Sequence, residues 1–230
     1  LITKQLIEEC KLTNSSAVLD VGCASGLLLQ RVRTTFQSSG TGIDVSKVLI
    51  DKAKEVDPLN TYMVADATSL PFSDNSFDLI TSCDNLEHIE EYRKVIKEMV
   101  RVLKPGGRIV LNTINKNNKY TIDWLLEKCG SDYHLRRAGH VKDLFFNPRE
   151  IEDLFRQEGL TNTKIRLFDG TCMIISNTVL YIILLIIEKV TPNILYNSIG
   201  SITLQVSDTI SRFTLPILDK FDMLVTKRGY

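Results

Sequence analysis

The sequence predicts an α/β layered fold built on a parallel sheet, and three observations carry that expectation. Short β-branched runs alternate with longer helical stretches through the first two thirds of the chain. One such run closes in a glycine-bracketed turn, VLDVGCASG over residues 18–26, that opens directly into helix-forming residues. Later, Pro105, Gly106 and Gly107 stop an amphipathic helix and turn the chain into another β-branched run. Strand, helix, strand, repeated, implies parallel strands joined by right-handed crossovers.

The elements follow in order. Residues 17–21 (AVLDV) read as a first strand and residues 27–36 as the helix after it. Residues 42–45 (GIDV) read as a second strand, with helix 47–56 behind it. Residues 62–65 form a third strand, 77–82 (FDLITS) a fourth and 108–113 (RIVLNT) a fifth. Within residues 91–103, Tyr92, Val95, Ile96, Met99, Val100 and Leu103 recur at steps of three and four, one stripe of a helix. A helix over 148–159 ends at a glycine, a sixth strand covers 164–168, and residues 223–226 (MLVT) supply a closing one.

The stretch between the last two strands differs from the rest. No charged residue occurs between Asp169 and Glu188, and residues 179–187 are apolar on every side of a helix. Leu195, Ile199, Ile202, Val206, Ile210, Phe213, Ile217 and Phe221 then mark an amphipathic stripe, kinked or ended by Pro216. Ser176, Asn177 and Thr178 interrupt the uncharged run and leave it too short for a bilayer span. The expectation is a single domain over residues 1–230 with an apolar helical insertion at 170–221. Two readings of that insertion remain open: a lid or packed helix pair, and a peripheral membrane contact.

Composition narrows the function classes. The 230 residues are 43% hydrophobic and 24% charged, as in a folded globular chain. Lys+Arg 28 cancels Asp+Glu 28, which removes the electrostatic case for nucleic acid as a partner. Five scattered cysteines without a C-x-x-C pair exclude a disulfide framework and fit a reducing, cytoplasmic setting. No basic stretch followed by an apolar run opens the sequence, so no signal peptide is expected. The three histidines are dispersed, and no metal site is expected.

The turn at residues 20–26 carries the chemistry. In open parallel sheets ligands bind beyond the carboxyl ends of the strands, where glycines admit backbone close to the ligand. The dinucleotide fingerprint needs G-x-G-x-x-G, whereas here the spacing is Gly22-x-Ala24-x-Gly26, one residue shorter. Asp20, just ahead of the first glycine, suits a ligand with a positive end and opposes a pyrophosphate.

VLDVGCASG resembles motif I of the class I S-adenosylmethionine-dependent methyltransferases, with Ala24 where that motif carries a third glycine. GIDVS, VADATSLPF, PFSDNSFDLITSCDNLEHI and LKPGGRIVL resemble the family's later motifs in the expected order, over residues 17–168. The chain is most similar to the small-molecule branch that includes ubiquinone- and menaquinone-biosynthesis methyltransferases. The resemblance implies a Rossmann-like seven-stranded sheet in the order 3-2-1-4-5-7-6, strand seven antiparallel. It implies S-adenosylmethionine as cofactor, held by Asp20, Gly22, Cys23, Ala24, Ser25 and Gly26. Asp44 and Val45 would meet the ribose side, Asp66 and Ala67 the adenine, and the Cys83 backbone the methionine part.

Methyl transfer needs an acceptor held in line with the sulfonium methyl and a place for the acceptor's proton. The candidates lie just after the fourth strand: His88, Asp84 and Glu87. A histidine ordinarily titrates near neutral pH and accepts a proton readily. His140, in HLRRAGHVKDLFFNP, is a candidate for the substrate side, and Arg136, Arg137 and Lys142 could face an anion. The expected acceptor is small and hydrophobic, a quinol precursor or another lipid-like or phenolic molecule. The alternatives are a sugar or polar metabolite as acceptor, and an inactive cofactor-binding protein that docks partners through its apolar helices.

Overall fold

The computed structural model describes residues 7–115, 146–168 and 220–227. The chain divides into two compact units, one of residues 1–116, 138–166 and 221–230, the other of residues 117–137 and 167–220. The described residues belong almost wholly to the first unit. Residues 170–219 of the expected insertion fall outside them, as do Arg136, Arg137, His140 and Lys142, whereas Lys220 and Phe221, expected at the end of its helical stripe, lie instead in the final strand.

Five strands form a parallel sheet: β1 (Val18–Val21), β2 (Gly40–Asp44), β3 (Thr61–Val64), β4 (Phe77–Cys83) and β5 (Leu103–Ile114). β1 pairs with β2 on one side and β4 on the other; β3 lies beyond β2 and β5 beyond β4. The helices are α1 (Leu27–Phe36), α2 (Lys47–Val56), α3 (Tyr92–Val102) and α4 (Pro148–Gln157), with a 3-10 turn at Leu86–His88. Strands β6 (Leu160–Phe168) and β7 (Lys220–Lys227) follow. β2 starts two residues earlier than the sequence suggests and β6 four, because neither Gly40 nor the residues after Gly159 break the extended chain.

The central strands β1 and β4 are buried on both faces, which is why they read as near-continuous apolar runs instead of alternating ones. Alternate residues of β1 separate to opposite sides. Leu19 and Val21 join Val95, Ile96 and Met99 of α3 with Ile151 and Phe155 of α4 in one core. Val18 joins Leu29 and Val32 of α1, Ile50 and Ala53 of α2, and Tyr62 in the other. The α3 stripe read from the sequence is therefore the seam itself.

β5 departs from its expected start. It begins at Leu103, paired with Phe77, and includes Pro105, Gly106 and Gly107. The register then shifts, so that Arg108 is opposite Leu79. Gly106 takes φ +80, and the three residues form an irregularity within the strand instead of a separate turn before it.

The two-sided burial makes the α3 seam the most costly place to lose volume. Met99 is fully buried, and Met99→Ala is expected to lower unfolding stability by about 2–5 kcal/mol in a urea titration, with the slope unchanged.

Candidate cofactor cleft

Beyond the carboxyl ends of β1, β2, β3 and β4 lies a cleft of about 490 Å³. Its volume is that of a small-molecule site. Gly22, Asp44, Val45, Asp66, Ala67 and His88, all expected site residues, line it. Asn85, Thr68, Ile89, Glu90 and Glu91 line it as well and were not marked by the sequence.

The turn after β1 is fixed from β2. Both Gly22 N and Cys23 N donate to Ile43 O at 2.9 Å, so the loop is pinned beside the strand that ends in Asp44. Gly22 has φ +77, and a Cβ there would stand 2.4 Å from Asn85 Cγ. Glycine is therefore required both by conformation and by the side chain that crosses the loop from the end of β4. Asn85 in turn donates to Ser82 Oγ at 3.3 Å. Ala24 also adopts a left-handed conformation, φ 45, which explains why motif I usually has glycine there. At the other end of the turn, Tyr62 from β3 donates its hydroxyl to Gly26 O at 3.3 Å.

Asp44 joins the two sides of the cleft. Its Oδ2 accepts from Ala24 N at 3.0 Å and its Oδ1 from Ser46 N at 2.9 Å. Ser46 then caps α2 by accepting from Leu49 N at 3.4 Å. Each carboxylate oxygen keeps capacity for a second donor, which is what a vicinal diol offers. Beside it, Val45 is 71% exposed, an apolar face at the mouth of a polar cleft. Asp66 lies across from them; its Oδ1 accepts from Thr68 N and Thr68 Oγ1, both at 2.8 Å. The Thr68 backbone bond, then its hydroxyl, holds this carboxyl below the usual range.

Asp20 is placed differently from the rest. It is buried in β1 beside Thr81, whose hydroxyl donates to its Oδ1 at 2.6 Å, and it is not among the cleft-lining residues. Burial pushes its carboxyl up to about 6, against the lowering bond from Thr81, with the negative Asp44 adding to the rise. Cys23, Ala24, Ser25, Gly26 and Cys83 also do not line the cleft with their side chains, although Cys23 packs in the core below the loop.

The candidates after β4 separate. His88 is exposed and lines the cleft. Asp84 is exposed at the end of β4, with φ 50, and lies outside the lining set. Glu87 is 1% exposed and accepts from Thr113 Oγ1 at 2.9 Å; burial raises its pKa. It belongs to the support behind the 3-10 turn, not to the cleft surface. Among the described residues no group of histidine, cysteine and acidic side chains is arranged to hold a metal.

The donor set fits a cationic nucleoside. Asp44, Asp66, Glu90 and Glu91 place four carboxylates on the lining, which among the described residues includes no lysine or arginine. Such a lining attracts a positive ligand and repels a pyrophosphate.

Residues 19–111 match the family described as methyltransferase domain. A ubiquinone biosynthesis O-methyltransferase of Coxiella burnetii is 35% identical over 153 residues, covering 62% of each chain. A malonyl-[acyl-carrier protein] O-methyltransferase of Buchnera aphidicola is 31% identical over 128 residues, covering 56% of this chain and 51% of its own. The chain thus spans less than two thirds of the length of these relatives. Among solved structures, the phosphoethanolamine N-methyltransferase 2 of Haemonchus contortus with S-adenosyl-L-methionine superposes with TM-score 0.68 at 17% identity, over all of this chain and 52% of that one. The [4+2]-cyclase SpnF superposes with TM-score 0.64 at 20% identity, over all of this chain and 80% of its own.

The buried acid makes stability pH-dependent in a defined sense. With a folded pKa near 6 and an unfolded one near 3.8, Asp20 keeps its proton longer in the folded state. The folded form binds more protons between those values, so this group's contribution to stability falls as pH rises from about 4 to about 6 and is then level. In Asp20→Asn, thermal or urea unfolding is expected to lose that decline, a difference of about 2–3 kcal/mol between pH 4 and pH 7.5 relative to the parent. Parallel pH profiles in the two proteins would refute the assignment.

Proposed function

We propose, from the match of residues 19–111 to the methyltransferase-domain family, that this chain binds S-adenosylmethionine and methylates a hydroxyl of a small hydrophobic acceptor, a phenol or quinol precursor. One observation carries the cofactor half: Asp44 bridges the glycine turn and the start of α2 at the mouth of an acidic cleft. The acceptor half draws support from the relatives named as ubiquinone biosynthesis O-methyltransferases. A Rossmann-like sheet in the order 3-2-1-4-5-7-6 is part of the reading, supported by the strand order β3-β2-β1-β4-β5-β7-β6.

In this reading Asp44 accepts both ribose hydroxyls while keeping its two backbone donors. Val45 covers one face of the adenine with its exposed side chain, and Asp66 accepts from the adenine amino group. The backbone of residues 22–26 lies against the methionine portion, with Cys83 behind it, and the negative Asp20 beneath the loop favours the positive end. When bound, the cofactor supplies an electrophilic methyl on sulfonium. The chain has to orient the acceptor, worth about 7–11 kcal/mol in well-aligned cases, and to receive its proton. His88, at the cleft surface beside Ile89, accepts that proton from the acceptor hydroxyl. Asp84 orders the end of β4 that presents it, through its N–H to Asn112 O at 3.0 Å.

The remaining parts follow from sequence. We assign the 170–221 insertion to a lid over an apolar acceptor and His140 to the acceptor side. The lid extends the single 1–230 domain, and a peripheral contact with a lipid surface would let such an acceptor enter. Among the described residues no helix is long and apolar enough to cross a membrane. Pelleting with liposomes that is lost on deleting residues 172–218 tests the lipid contact.

Asp44→Ala is expected to weaken S-adenosylhomocysteine binding by about a hundredfold or more, since two hydroxyls and the loop's own anchor lose their acceptor. Calorimetry reads it, and binding of NADH in place of the thioether nucleoside would overturn the reading. His88→Ala is expected to lower turnover about 10²–10⁴-fold with cofactor affinity unchanged. The acceptor is found by incubating the protein with methyl-labelled cofactor and a lipid extract. Label in an alkali-stable phenolic ether supports the assignment, and label in an alkali-labile methyl ester favours a carboxyl acceptor instead.

A further inference from the structure

The wall of the cleft that carries Asp66 is not part of the sheet. It is the loop between β3 and β4, whose ends are set by strand pairing, through Ala65 N to Asp44 O at 3.1 Å on one side and Phe77 opposite Leu103 on the other. The stretch between them, residues 70–74, is gripped from α3 by one side chain. Arg101 Nη2 donates to Leu70 O at 3.0 Å, and its Nη1 donates to Phe72 O and to Asp74 Oδ1, each at 2.8 Å. Its Nε and Nη2 donate to the two oxygens of Glu98, each at 2.7 Å. Those bonds use every N–H of a guanidinium. Glu98 closes the ring by accepting from Leu70 N at 2.7 Å, so Leu70 is held at both its donor and its acceptor.

The clamp is rigid at its base. α3 buries Val95, Ile96, Met99 and Val100, and its C-terminal carbonyls receive the same loop: Asn75 N donates to Arg101 O at 3.0 Å and Ser76 N to Val102 O at 2.7 Å. Arg101 is 31% exposed and Glu98 21%, so the charged bonds are only partly screened. The Arg101 bond is the main reason the Glu98 carboxyl stays below its usual range. Between this anchor and Asp66 stands only a short turn, closed by Ser69 N to Asp66 O at 3.2 Å.

We infer that Arg101, with Glu98, is a positioning pair for the cofactor: it sets the distance between Asp66 and Asp44 and so decides how well the cleft reads the 6-amino group of the nucleobase. The inference rests on the cofactor reading above. Lysine cannot replace the arginine, because a point ammonium cannot serve three carbonyl and carboxylate directions of the loop and both oxygens of Glu98 at once.

The test compares S-adenosylhomocysteine with S-inosylhomocysteine, which carries an oxo group in place of the amine, by calorimetry on the full chain. The parent is expected to prefer the adenosyl compound by about tenfold or more, the weight of one hydrogen bond to a carboxylate. Arg101→Lys is expected to reduce that preference to about twofold, while Asp74→Asn, which removes only the exposed partner, keeps it. A preference left intact in Arg101→Lys, with a lowered Tm alone, would show a merely structural brace and overturn the inference. Should Arg101→Lys fail to fold, Glu98→Gln decides by the same ratio, since its amide turns a donor toward the guanidinium. Binding of neither compound by the parent would instead overturn the cofactor reading itself.

Discussion

The cleft depends on one carboxylate being in two places at once. Asp44 ends β2, yet its two oxygens hold the turn after β1 through Ala24 N and the start of α2 through Ser46 N. Parallel strands leave their carboxyl ends without a common connection, since each crosses to a different helix. A side chain that bonds backbone from both neighbours therefore fixes the spacing between them without any loop of its own. The same side chain still has acceptor capacity for a ligand, so the bond that orders the protein also prepares the site.

Around that bond, each wall is held by a different kind of support. The turn at 22–26 is held by backbone, through Ile43 O, and by shape, since Asn85 occupies the space a Cβ on Gly22 would need. The wall from 65 to 68 is held by charge, through the Arg101 and Glu98 bonds to Leu70. The 3-10 turn that presents His88 is held by a buried acid, Glu87, bonded to Thr113 of β5. Buried Asp20 adds strain of the opposite kind. Its charge is disfavoured by its surroundings, so the fold gives up stability at neutral pH.

Much of this was legible in the chain. The strand and helix order, the α3 stripe and the glycine turn follow from periodicity and local chemistry, and the acids at 44 and 66, which line the cleft, from the resemblance to the family's motifs. The extent of β5 was not legible, because proline and two glycines ordinarily end a strand, and only pairing of Leu103 with Phe77 carries it through them. Asn85 was not legible either: an asparagine after a strand has no distinguishing neighbour, and its role arises from a missing Cβ sixty-three positions earlier. Nor was the different fate of Glu87 and His88, adjacent in sequence. A 3-10 turn of three residues sends successive side chains in different directions, so one of the pair is buried and the other is exposed at the cleft.

The positions of these supports separate two kinds of specificity. Every described residue lining the cleft lies between Gly22 and Glu91, within the part of the chain that matches the methyltransferase-domain family. That same fold, at comparable TM-scores, is shared by an N-methyltransferase and by a [4+2]-cyclase, so the sheet and its turns do not select a reaction. What they select is a ligand: an acidic, glycine-edged cleft with one exposed valine suits a positively charged nucleoside whatever is done with it. Selection of an acceptor is therefore not written into the bonds around Asp44.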